Sequence, residues 1–387
     1  EPKVYKLTCS FQNLNMLLSF MSIKTLIIFF LFLSSILVTQ FSYCQKLQPG
    51  FDKEEYLDLI RISAQYGDSA YRSGIPVPKK YQLAYRSPTV GLENMWELWI
   101  SDDQVATISL RGTTKESESW LANLYAAMVP AQGELTIGEN QTFEYKLAAH
   151  PQAAIHVGWL VSMAFLAEDI LPKVDSCYKA GIRDFSIIGH SQGGGVAYLL
   201  TAHLHSLQQQ DKLPPDIQLK TYCSAAPKPG NLYFAYDYEA VTQGGWAYSV
   251  VNSADWVPEV PVSIQTLDDF NEVNPFKNIQ GLISQQKLLA RVALNSAYKK
   301  LYKPTHKAQK NYQKILGDYT SQYVEKVIPG FKAPEYYHSN HYVRTGSTIV
   351  LLADAEYTAW NPYKDSKVFP HHFHPQYMYL VEKLRLD

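Results

Sequence analysis

Three residue types in this chain could together break an acyl bond. They are Ser191 in Gly189-His190-Ser191-Gln192-Gly193, Asp255 in Val250-Val251-Asn252-Ser253-Ala254-Asp255, and a histidine from Pro370-His371-His372-Phe373-His374. A serine hydroxyl is a poor nucleophile at neutral pH. It needs a base to take its proton, and the base needs an acid to fix its tautomer. The three types follow in the chain order Ser, Asp, His. Composition does not separate His371, His372 and His374 as the base. A solvated His-rich loop is the plain alternative for all three. For Asp255 that alternative is a turn residue, with Asp237, Asp268 and Asp269 as rivals that follow strands less cleanly. His156, His203 and His205 fall on expected helices and read as packing or surface residues.

The context of Ser191 is what a nucleophile elbow requires. Phe185-Ser186-Ile187-Ile188 reads as a buried strand, and Gly194 to Leu204 reads as a helix. The glycines let strand and helix close on each other and let the serine take a strained turn. Without chemistry, the same stretch would be a Gly-rich strand-to-helix turn. An oxyanion hole needs two preorganised donors. The Gln192 backbone N–H is one candidate. Thr113, at the end of the strand Val105 to Leu110 in Arg111-Gly112-Thr113, is the other, unless it is an ordinary strand-end turn.

Further elements must position these groups. Residues 54–72 read as one helix and Trp96 to Ile100 as a strand. A short helix is expected near Trp120 to Met128, a loop-rich stretch over 131–150, and a buried helix from His156 to Leu171 that Pro172 ends. Leu219 to Ser224, Ala247 to Val251 and Thr348 to Leu352 complete the strands. Strands alternating with helices imply an α/β fold, a mostly parallel sheet covered on both faces. Residues 263–335 interrupt the alternation as a helical insertion. From Lys277 to Lys332 they hold eleven Lys or Arg against Asp318 and Glu325. A solvated insertion, a cap over the site, and a basic face toward anionic lipid are the readings that composition allows.

The chain of 387 residues is 46% hydrophobic and 18% charged, the composition of a folded globular protein. Its formal net charge of −1 gives no bulk pull toward nucleic acid. Residues 1–44 read as upstream residues plus a signal peptide. Lys24 precedes the apolar run from Leu26 to Val38, Met21 is the natural initiator, and Gln45 begins the mature chain. Export to the outside, the periplasm or the cell surface is the expectation. A lipid anchor on Cys44 is a rival that bulky Tyr43 disfavours. Residues 45–387 are then a single domain. Its cysteines, Cys177 and Cys223, are too few for a disulfide framework, and no Cys/His cluster has zinc spacing.

Several motifs resemble those of the fungal-type lipases, lipase class three of the α/β-hydrolase superfamily. Ser109-Leu110-Arg111-Gly112-Thr113 is similar to that family's RGT/RGS oxyanion strand, and Ile155 to Trp159 to its vHxGF helix start. Ile188 to Gly194 is similar to its GHSLGG elbow, with Gln192 in place of Leu. Cys223 to Asn231 resembles GsPrvGN, and Asn252 to Val257 resembles nxxDxVP. The resemblance covers roughly 54–260 and 338–380. It implies Ser191 as nucleophile, Asp255 as orienting acid, and Thr113 and Gln192 as the oxyanion hole. His374-Pro375-Gln376-Tyr377 fits the family's HxxY spacing, which implies His374 as the base. The resemblance also implies a lid from Lys115 to about Met128, with Trp120, Leu121, Leu124, Tyr125 and Met128 on its apolar face, unless that stretch is a packed helix. The expected activity is cleavage of acylglycerol esters, with no cofactor or metal and with lipid or another acyl ester as partner, at a membrane or lipid-droplet interface. A phospholipase A1 or short-chain esterase with the same triad is the alternative, and a silent binding module on the same scaffold is the rival outside enzymes. Oligomeric state is left open.

Overall fold

The computed structural model describes residues 45–277, 279–363 and 367–385. The expected leader, its cleavage site and Cys44 lie outside the described residues, as do Cys9 and Met21. All elements below belong to the unit Lys46–Asp387.

The chain opens with helix α1 (Lys53–Ser63), capped by the Asp52 carboxylate on the Glu55 N–H. A 3₁₀ turn (Ala64–Tyr66) follows, then the short α2 (Ser69–Ser73). The single helix expected over 54–72 is therefore broken at Gly67 and Asp68. Asp68 caps a new start by accepting from the Tyr71 N–H. Strands β1 (Tyr81–Arg86), β2 (Trp96–Ser101) and β3 (Ala106–Leu110) come next, paired antiparallel. Helix α3 (Ser117–Leu124) follows β3, ending earlier than expected because Met128–Pro130 is strand β4. The stretch expected as loop is a hairpin, β5 (Gln132–Gly138) and β6 (Gln141–Lys146). Strand β7 (Ala154–His156) leads into helix α4 (Val157–Lys179). Pro172 does not end α4. The helix runs on because Val174 and Cys177 beyond it are buried, and such burial offsets the lost backbone bond.

Strand β8 (Asp184–His190), helix α5 (Gln192–Gln209), strand β9 (Gln218–Ser224), helix α6 (Leu232–Val241) and strand β10 (Ala247–Asn252) alternate. The 263–335 segment holds α7 (Ile279–Ser284), α8 (Leu288–Gln313), a π-helical stretch (Lys314–Tyr319) and α9 (Thr320–Val327). Strand β11 (Ser347–Leu351), α10 (Ala355–Trp360) and α11 (His374–Lys383) close the chain. These strands and α5 lie where expected, while helices α6 and α10 were not foreseen.

The seven-stranded sheet has the order β1-β2-β3-β8-β9-β10-β11, and every pair from β3 onward is parallel. One face packs under α4 and α5 through residues such as Trp159, Leu160, Val196 and Leu200 with Ile108 and Ile187. The other packs under α1 and α11 through Tyr56, Leu59 and Tyr377 with Ile188, Tyr222 and Val250. This is the expected α/β fold, a mostly parallel sheet covered on both faces. Parallel pairing brings the carboxyl ends of β3, β8, β9 and β10 to one edge, with Leu110 level with Gly189, His190 with Ser224, and Ser224 with Val250.

Candidate active site

Ser191 stands between β8 and α5 with φ 60° and ψ −130°, a strained conformation for a residue with a side chain. Backbone closeness makes that turn possible only with glycines around it. A Cβ on Gly189 would lie 2.0 Å from the Gly193 carbonyl oxygen, and one on Gly193 would lie 2.3 Å from the Leu110 oxygen. The Ser191 N–H donates to the Ser224 carbonyl at 2.9 Å, tying the elbow to the end of β9. Ser191 is the residue just before α5, so the N–H groups of the first turn and the positive end of the helix dipole lie beside it.

Asp255 follows β10 in a tight turn, its N–H donating to the Asn252 carbonyl. Its carboxylate is buried and accepts three hydrogen bonds. One oxygen takes the Val257 N–H at 3.0 Å. The other takes His372 Nδ1 and the Tyr377 hydroxyl, each at 2.8 Å. A carboxylate facing Nδ1 holds the proton there, which leaves His372 Nε2 as a lone-pair base.

The expected pairing of Asp255 with His374 does not form. His374 starts α11, and its ring turns toward α1 and α2. There its Nδ1 meets the Tyr71 hydroxyl at 2.7 Å and its Nε2 the Ser63 hydroxyl at 3.3 Å. Burial, and second the neighbouring His372, pushes its pKa down to about 3. His371 is turned away too, bonded to the Tyr357 hydroxyl and the Asn361 amide. Of the three histidines, His372 is the one that reaches Asp255, while the HxxY spacing marks instead Tyr377, which bonds the same carboxylate.

Three bonds hold the histidine turn, two of them long-range. The Asn361 amide donates to the Pro370 carbonyl, the Asn252 amide to that of His371, and His190 Nε2 to that of His372 at 2.7 Å. A carbonyl only accepts, so His190 carries its proton on Nε2. Its Nδ1 therefore accepts from the Ser224 hydroxyl at 3.0 Å, which in turn accepts from Tyr56. Burial, with the charges His374 and His372 would carry adding to it, keeps the His190 pKa well below the usual histidine range. No local pattern announced His190 or Asn361 in these roles, and composition left His372 as one of three candidates for the base. The resemblance did include Asn252, at the start of its Asp motif.

Gly112 lies against the elbow, where a Cβ would be 3.0 Å from the His190 oxygen and 3.6 Å from Ser191 Cβ. Thr113 is the next residue. Its hydroxyl oxygen accepts from the Asn123 amide at 2.9 Å, and Asn123 accepts from the Trp159 indole. The Gln192 side chain is buried and grips α3: its amide donates to the Ser119 carbonyl, and its oxygen accepts from the Ser119 hydroxyl. Helix α3, at the place of the expected lid, is thus bonded to the elbow. Its Ala122 carbonyl also sits 2.1 Å from where a Gly158 Cβ would be. Tyr125 and Met128, expected on an apolar lid face, are fully buried, whereas Trp120 and Leu124 face solvent.

An aromatic rim begins beside His372. Phe369 lies 5.6 Å from its ring, with Trp256 at 5.1 Å and Trp120 at 6.4 Å from Phe369. A cavity of about 460 Å³ is lined by Asp255, Trp256, Tyr363, Lys367 and Phe369. Cys177 and Cys223 are buried free thiols.

Residues 107–264 match the family model described as lipase (class 3). That segment holds Thr113, Ser191, Gln192 and Asp255 and ends before the histidines. No curated protein matches the chain. Among solved structures, lipase II from Rhizopus niveus is 22% identical, over 54% of this chain and 74% of that one, with a TM-score of 0.39. A triacylglycerol lipase from Penicillium expansum is 19% identical, over 55% and 75%, with a TM-score of 0.40. The Lip2 lipase from Yarrowia lipolytica is 17% identical, over 56% and 78%, with a TM-score of 0.41. Through residues 107–264, which carry the elbow and Asp255, the chain is similar to the class 3 lipases.

Proposed function

We propose that the chain cleaves carboxylic esters of apolar acyl groups, acylglycerols first among them, through an acyl-enzyme on Ser191 with His372 as the base. One observation carries this reading: the buried Asp255 carboxylate bonds His372 Nδ1 at the same sheet edge where the elbow raises Ser191. In the first half-reaction His372 Nε2 takes the Ser191 proton while Oγ bonds the carbonyl carbon. The carbonyl electrons become an oxyanion, for which the Gln192 N–H and Thr113 are the donors. As the ester C–O bond breaks, His372 returns the proton to the leaving alkoxide. Water, deprotonated by the same nitrogen, then releases the acid and restores Ser191. The aromatic rim of Trp120, Trp256 and Phe369 favours an apolar acyl chain.

The test is hydrolysis of short- and long-chain p-nitrophenyl esters, below and above micellisation, with Ser191→Ala alongside. Long-chain turnover that vanishes in the variant supports a lipase. Preference for short soluble esters makes it an esterase, and release of fatty acid from phospholipid makes it a phospholipase. No turnover from folded protein, with no labelling of Ser191 by an organophosphonate, sinks the reading in favour of a silent binding module.

Export belongs to the same proposal, supported by Lys24 and the apolar run from Leu26 to Val38. N-terminal sequencing of the cell-free protein tests it: a start at Gln45 agrees, and a start upstream of Leu26 contradicts it. Mass spectrometry of the membrane fraction detects a chain that starts at a lipidated Cys44 if the anchor is present.

A further inference from the structure

Helix α8 divides its residues into two stripes. Asn295, Tyr298, Tyr302, His306, Gln309 and Tyr312 recur every three or four residues and are partly or fully buried. His306 bonds Asp268, and Tyr312 packs beside Met128 and Tyr342. This stripe seats the helix on the molecule, and chiefly its second half. The stripe about a third of a turn away is solvent-exposed along the whole helix. It begins with Leu288, Leu289 and Val292, which are 74%, 87% and 61% exposed. It continues through Lys299, Lys303, Lys307 and Lys310. The spacing from Val292 through Ser296 to these lysines is four, three, four, four and three residues, so they stand in one row.

The row is short of counter-charges. None of the salt bridges among the described residues uses these lysines. Helix α8 itself has no Asp or Glu. An isolated solvated helix would gain nothing from three large apolar residues at its start. A helix that dips its first turns into an acyl layer and lays lysines along the headgroups gains from both. Among the described residues no helix is long and apolar enough to cross a membrane, so α8 would lie on the surface.

We propose that α8 docks this protein on an anionic lipid surface, with Leu288, Leu289 and Val292 entering the acyl region and Lys299, Lys303, Lys307 and Lys310 meeting the phosphates. That this surface carries the substrate rests on the ester-hydrolase reading. The docking itself needs no working Ser191.

Vesicle co-sedimentation tests it, with the full chain carrying Ser191→Ala so that substrate turnover plays no part. Vesicles of phosphatidylcholine alone are compared with vesicles half phosphatidylglycerol, at low and high salt. The parent is expected to prefer the anionic vesicles and to lose that preference in salt. Each lysine near the surface is worth roughly fivefold. Joint Lys299→Glu, Lys303→Glu, Lys307→Glu and Lys310→Glu is therefore expected to lower anionic binding by at least about a hundredfold, leaving neutral binding unchanged. Joint Leu288→Ser and Leu289→Ser is expected to lower it roughly tenfold with the charge intact. Unchanged melting temperature, and unchanged short-chain ester turnover with Ser191 present, show that the variants fold. Equal parental binding to both vesicle types overturns the proposal, as does anionic binding that survives charge reversal. So does a dimer in sedimentation velocity that either variant abolishes, or binding to duplex DNA as tight as to the vesicles. If ester turnover is absent throughout, the hydrolase reading fails while the vesicle result still decides the docking.

Discussion

The elbow and the histidine turn face each other across the candidate site, and they are specified in opposite ways. The elbow is specified from within. Gly189, Ser191 and Gly193 lie within five residues, and backbone atoms about 2 Å from the missing Cβ atoms dictate which are glycine. The histidine turn is specified from outside. Pro370, His371 and His372 are held by Asn361, Asn252 and His190, and two of these are more than a hundred residues away in sequence. A local device can be read from its own letters. A turn held by distant partners cannot, because shifting a histidine by two positions leaves its composition unchanged and sends the ring to the opposite wall.

The two regions can be pulled apart by mutation. Asp255→Asn attacks the turn alone. It should cut kcat by about 10³- to 10⁴-fold with the fold intact, because the amide favours the wrong His372 tautomer; a pre-steady-state assay on a soluble ester reads it. Gly189→Ala attacks the elbow. Its Cβ has no room, and the expected loss is at least about 3 kcal/mol of stability by urea unfolding, with activity falling alongside. A loss near zero would mean that the elbow is looser than its contacts.

Acid tests the role of His374. Its folded pKa is about 3 against about 6.5 for an unfolded histidine, so the unfolded chain binds more protons between these values. The stability it contributes is whole above pH 6.5 and is lost as pH falls toward 3. At pH 5 the loss should be about 2 kcal/mol. His374→Gln should flatten the melting-temperature profile between pH 7 and 5, and an unchanged slope would contradict the neutral, walled-in histidine. The smallest expected effect is that of Tyr377→Phe. It removes one of three donors to Asp255 and should cost roughly tenfold in kcat/KM with little change in KM.

The sheet was legible where strands are buried runs, as in β8, β9 and β10, all of whose pairings are parallel. Strand β1 was not, because most of its residues are exposed and it lies at the sheet edge. The hairpin β5–β6 hid behind polar letters, although Leu135, Ile137, Phe143 and Tyr145 alternate toward the core. Helix α4 outran its proline because burial outweighed a local rule. At the site, Ser191, Asp255, Thr113 and Gln192 are at the ends of strands or the start of a helix, as their letters implied. His374 was singled out by a spacing whose tyrosine, rather than its histidine, meets Asp255.

The most direct test of the central claim, that His372 and not His374 serves Ser191, is kcat/KM for one soluble short-chain ester in His372→Ala and His374→Gln side by side. The account predicts a loss of at least about 10³-fold in the first and less than about tenfold in the second. A collapse in His374→Gln with His372→Ala still active would contradict it and return the base to the position the spacing suggested.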